Sequence, residues 1–157
     1  MPLEHIIRLL NNCKYNIGSE FIAASFRFMQ LLGDFEDRCG GEELSAQQKE
    51  EIIADALQQL HILHIKHPNL KVLVISDSTV FATRVNQLPF VYIIPGEISH
   101  IDAKSQSTKS FDKEFLDLLL LSKAKCIYRY HRAPMHYSGF PLTAAQIGGI
   151  KVETIEF

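Results

Sequence analysis

Short runs of mainly apolar residues recur along the chain: Phe21 to Phe28, Lys71 to Ile75, Phe90 to Ile94 and Cys126 to Tyr130. Between them lie segments long enough for helices. The runs do not alternate polar with apolar residues, so neither face of the corresponding strand would meet water. Strands covered on both faces and separated by helices predict βαβ units and a parallel sheet. Right-handed crossovers then place helices on both faces of that sheet. With a weaker last run, Lys151 to Ile155, the expectation is an α/β domain with about five parallel strands.

The intervening segments carry helix signals. Leu3, Ile6, Ile7 and Leu10 form one stripe of a first helix, Leu3 to Asn12, and Asn16-Ile17-Gly18 breaks it. Ser45 and Gln48 form a capping box before a long helix with Ile52, Ile53, Ala56, Leu57, Leu60, Leu63 and His64 at helical spacing. Pro68-Asn69 stops it. Ser78 caps a helix from Thr79 to Gln87, and Ser110 starts one from Phe111 to Lys123. Pro141 suits the first turn of a final helix that Gly148-Gly149 ends. Gly33 to Glu43 and Glu97 to Lys109 read as loops.

Composition narrows the function. The length is 157 residues and 46% are apolar, which suits one domain with its own core. A net charge of −2 gives no basic field for nucleic acid or an anionic membrane. Cys13, Cys39 and Cys126 are scattered and suggest neither a disulfide framework nor a zinc site, as in a reducing compartment. No stretch reaches the roughly 18 apolar residues of a membrane span. The start, MPLEHIIRLLNN, does not read as a signal peptide. The expected location is the cytoplasm.

Ligands of open parallel sheets bind beyond the carboxyl ends of the strands. That rule selects Arg27, Ser76-Asp77-Ser78, Pro95-Gly96 and Ser138-Gly139-Phe140. Arg27 interrupts an apolar run, and its guanidinium keeps its charge, so it needs a partner. That partner is a phosphate or carboxylate of a ligand, or else Asp34, Asp77 or Asp117 of the protein itself. Asp77 and Ser78 also fit plain helix capping. Asp117, within Phe115-Leu116-Asp117-Leu118-Leu119, faces solvent beside Lys113 by default, or is half-buried as an acceptor. The amides at Ser138-Gly139-Phe140 open a helix and suit a phosphate. His61, His64 and His67 are spaced by three residues, but no cysteine or carboxylate nearby completes a metal set. His131 and His136 flank a loop, as ligand contacts or as surface residues. Ser138 lacks the motif of a hydrolase nucleophile.

Taken in order, several segments resemble the donor-binding half of GT-B fucosyltransferase-like enzymes. They are Phe21 to Phe35, Val72 to Ser78, Phe115-Leu116-Asp117 to Lys125, Tyr137-Ser138-Gly139-Phe140 and Gly148-Gly149-Ile150. The resemblance implies a Rossmann-like domain over residues 19–157, with residues 1–18 as an N-terminal helix and linker. It implies a GDP-sugar donor, GDP-fucose first, and no metal or other cofactor. Arg27 would bind the pyrophosphate and stabilise departing GDP. Ser25, Asp77, Ser78 and Asp117 would line the donor site, with Asp117 able to accept from guanine, and Ser138, Gly139 and Phe140 would meet phosphate. Ser25 and Phe28 stand where the family often has a histidine and a second arginine. A GT-B enzyme also needs an N-terminal acceptor domain, so the resemblance implies a donor half, inactive alone, with the acceptor domain or a partner chain supplying the rest. The face that would meet that domain is then open to self-association. The alternative is a non-catalytic Rossmann-like binding or regulatory module.

Overall fold

The computed structural model describes residues 3–35, 41–96, 98 and 108–157. Most of the predicted loop from Glu97 to Lys109 lies outside them. Five helices and five strands alternate: α1 (Leu3–Ile17), β1 (Phe21–Phe26), α2 (Ala46–Lys66), β2 (Lys71–Ser76), α3 (Thr79–Val85), β3 (Val91–Tyr92), α4 (Thr108–Leu121), β4 (Cys126–His131), α5 (Phe140–Gly148) and β5 (Lys151–Glu156). The sheet order is β3-β2-β1-β4-β5, and all four pairings are parallel. This is the Rossmann-like α/β architecture that the apolar runs predict.

β1 is central, and all six of its residues are buried. Ile22, Ala24 and Phe26 point to one core, which α2 and α3 close with Ile53, Leu60, Phe81 and Val85. Phe21 and Ala23 point to the other, which α1, α4 and α5 close with Cys13, Ile17, Leu120 and Ala144. The first helix therefore belongs to the core of the domain. It runs past the predicted end at Asn12 to Ile17, where Gly18 turns out at φ 94°.

The predicted caps form. Ser45 and Gln48 make the reciprocal capping box of α2. Ser78 accepts from the Phe81 amide at 3.1 Å. Pro141 lies in the first turn of α5. Gly148 packs so tightly that a Cβ would collide with the Ser122 carbonyl, and Gly149 ends the helix at φ 64°.

β1 stops two residues before the predicted Phe28. Beyond it the chain tightens into a 3-10 turn, Met29–Leu32, with Met29 at φ 52°. Few residues other than glycine adopt that backbone, so something must hold it there.

Candidate functional site

The strand order supplies the place. From β1 the chain crosses to β2 and β3 on one side, then returns to β4 and β5 on the other. That makes β1 and β4 the switch point of the sheet, and the crevice of such a sheet is expected beyond their carboxyl ends. Arg27 follows β1 at this point. The amide of His136, in the loop after β4, donates to the Arg27 carbonyl at 3.4 Å.

Two carboxylates stitch the neighbouring turns together. Asp77, after β2, accepts from the amides of Phe28 and Met29 at 2.8 and 2.9 Å. That pair of bonds holds the turn at Met29 and fixes the backbone that carries Arg27. In return, Asp34, after β1, accepts from the Ser78 hydroxyl at 2.9 Å and the Val80 amide at 2.8 Å. Capping of α3 is thus shared by Ser78 and Asp34, while Asp77 caps the turn of a different strand. Ser78 is fully buried, so it shapes the rim from below.

The expectation for Asp117 needs correcting. It does not face solvent: it is 7% exposed, and both its oxygens accept from Lys113 Nζ, at 3.0 and 2.8 Å. Leu116, Leu120 and Leu121 belong to the apolar core on the same helix, and burying the leucines carries the carboxylate in with them. Burial pushes its carboxyl above the ordinary range, with Lys113 pulling the other way.

Arg27 is the exception in this engaged group. Its guanidinium is half-buried and has no hydrogen-bond or ion-pair partner among the described residues. Each acid that might have neutralised it is held by something else: Asp34 by Ser78 and Val80, Asp77 by two backbone amides, Asp117 by Lys113.

Across the crevice, Ser138 and Gly139 lead into α5. Gly139 is the N-cap, no side chain caps it, and its Cα faces open space. Ser138 is 7% exposed, and its hydroxyl makes no hydrogen bond among the described residues. Among the described residues no histidine reaches it, which leaves the hydrolase reading without support. His131 Nδ1 pairs with Glu156 at 2.6 Å, and Nε2 faces the Met135 carbonyl at 2.9 Å. Tyr137 stacks on the His131 ring at 3.6 Å between centroids, and its hydroxyl donates to Glu156. Sequence reasoning singled out His131 without its role, and it missed Arg129, Tyr137, Thr154 and Glu156. These residues meet only through the register of β4 with β5.

The helical histidines have structural work. His64 stacks on Phe90 at 4.1 Å, His61 meets the edge of the same ring, and His67 bonds the Tyr128 hydroxyl at 2.8 Å. An open depression of about 590 Å³ lies at the other, amino end of β1, between Lys14, Tyr15, Ser19 and Lys123. Exposed side chains wall it, and it is no part of the strand-end crevice. Among the described residues, no helix is long and apolar enough to cross a membrane.

Solved structures share this fold. The NodZ α-1,6-fucosyltransferase co-crystallised with GDP matches 98% of this chain at TM-score 0.55 and 18% identity. The chain has a fucosyltransferase-like fold. A second structure, fucosyltransferase NodZ from Bradyrhizobium, matches 99% at TM-score 0.55 and 17% identity. The chain spans 44% of the length of each of these enzymes, and its five-stranded sheet fits the C-terminal domain of a GT-B enzyme. No family model and no curated protein sequence matches it.

Proposed function

We propose that this chain is the GDP-sugar-binding half of a glycosyltransferase, with GDP-fucose as the first-choice donor. The observation that carries the reading is the unpaired Arg27 guanidinium at the switch point of the sheet, with Asp34, Asp77 and Asp117 all engaged elsewhere. A charge fixed in that way is complementary to an anionic ligand. Sugar transfer leaves a diphosphate on the departing nucleotide, and a guanidinium already in place stabilises that developing charge without reorganising. Arg27 is then both donor-binding and catalytic, while Ser138, Gly139 and Phe140 supply a hydroxyl and free amides to phosphate. Ser25, 4% exposed and beside the ladder to β4, lines the same crevice from below. Asp77 and Ser78 act through the turns they hold. Asp117 can read guanine only if Lys113 yields an oxygen. Donor binding needs no metal in this reading. Transfer itself requires an acceptor-binding half from elsewhere in the protein or from a partner chain.

Titration of GDP by calorimetry tests this. The wild-type protein should bind GDP equally well with and without a chelator. Arg27→Ala should lose about 10- to 100-fold in affinity, the range of a charge-assisted hydrogen bond or two. A flat titration of the wild-type protein sinks the proposal.

The second reading, a non-catalytic Rossmann-like module, has Asp117 in its favour, because both guanine-accepting oxygens are occupied by Lys113. It predicts an Arg27 satisfied internally, which is not what the structure has. UDP competing as well as GDP in the same cell would favour it.

A further inference from the structure

Arg129 lies in the middle of β4, opposite Ser25 of β1 and Thr154 of β5. Alternation along the strand puts it on the same face as Ile127, beneath the first turn of α5. Its Nε and Nη2 donate to Thr154 Oγ1 at 3.1 and 2.9 Å, and its Nη1 donates to the Ser138 carbonyl at 3.2 Å. The Tyr137 ring lies 5.3 Å from the guanidinium carbon. All of these partners are neutral. No carboxylate forms an ion pair with Arg129 among the described residues; Glu156, on the neighbouring strand, bonds Tyr137 and His131 and feels the Arg129 charge only at longer range.

This placement runs against the helix. The first turn of α5 already carries the positive end of the peptide dipoles, where an added cation is unfavourable. Ser25 and Ser138 are buried as residues, and their hydroxyls, which have no hydrogen-bond partner among the described residues, are not sealed from solvent. A half-buried cation in no direct ion pair, a helix end of the same sign and two unengaged hydroxyls are together complementary to a multiply charged anion. A diphosphate carries more than one negative charge at neutral pH, which Arg27 alone does not balance.

We propose that Arg129 is a second cation of the donor site, holding the entry to α5 through Ser138 and Thr154 and adding its charge where the diphosphate binds. The inference rests on the proposed GDP-sugar function and names a residue beyond it. Three of its five N–H groups are used in the structure, and two remain for a phosphate oxygen.

Guanosine, GDP and inorganic pyrophosphate titrated against the wild type, Arg129→Ala and Arg129→Lys test it. Arg129→Ala should weaken GDP and pyrophosphate about tenfold and leave guanosine unchanged. Arg129→Lys keeps the charge, loses the fork, and should fall between; it also serves if the alanine variant does not fold. Equal weakening of guanosine and GDP would reduce Arg129 to a structural strut and overturn the proposal, as would an unchanged GDP affinity. If wild-type protein binds pyrophosphate but not GDP, the nucleotide function falls and the Arg129 dependence of pyrophosphate binding still decides this inference. If it binds neither, both fall.

Discussion

At the scale of single residues, Asp77 decides how Arg27 is presented. Its two oxygens take the amides of Phe28 and Met29, and the second of these residues sits at a positive φ that nothing in its side chain favours. Removing the carboxylate leaves two amides to find other partners and the turn free to relax. Asp77→Ala should lower stability by about 1–3 kcal/mol in urea unfolding. It should also weaken GDP binding through the relaxed turn that carries Arg27. A variant as stable as the wild type would show that the turn holds itself. The sequence made Asp77 legible as a capping residue but not which turn it caps, because its target lies 48 residues away along the chain and next to it in space. Arg27 was legible because a permanent charge ends an apolar run. Arg129 was not: Tyr128-Arg129-Tyr130-His131 reads as ordinary strand, and only pairing with Thr154 shows what the guanidinium grips. Asp117 misled because a carboxylate four residues from a lysine is normally a surface pair, whereas here the leucines around it take the pair inside.

At the scale of elements, β5 holds the loop that leads into α5. Glu156, near its end, accepts from Tyr137 and faces His131. Those bonds keep its carboxyl below the ordinary value of 4.5. Because the folded form holds the proton less tightly than the unfolded chain does, the stabilisation is present at neutral pH. It disappears as pH falls through that lowered value. Glu156→Gln should therefore flatten the slope of stability against pH below about pH 5, measured by chemical denaturation across the acid range. An unchanged slope would mean that the clamp is not formed in solution. The elements themselves were the most readable level. Apolar runs located four of the five strands well, and caps placed α2, α3 and α5, because these are local signals. Element ends drifted where tertiary contacts decided them, as where the predicted β3, Phe90 to Ile94, shortens by one residue at its start and two at its end to the observed Val91–Tyr92.

At the scale of the whole molecule, one sheet serves two cores. Tyr128 and Tyr130 face α2 and α3, while Tyr92 packs against the core under α1 and α4. Neither core survives without β1, whose residues alternate between them. Unfolding should be a single transition. Near-ultraviolet dichroism of the tyrosines and far-ultraviolet dichroism of the backbone should give the same urea midpoint within error. Two separated midpoints would mean that one face melts alone.

The Asp77 contact has one more consequence, for how such a protein tolerates change over generations. Its carboxylate reads backbone amides, which every residue except proline possesses. The side chains at the turn can then be exchanged, within what the core allows, without moving the arginine they precede. A fold built on such contacts tolerates wide exchange of side chains at the turn, and new ligand preferences can be tried on a frame that does not have to be reinvented.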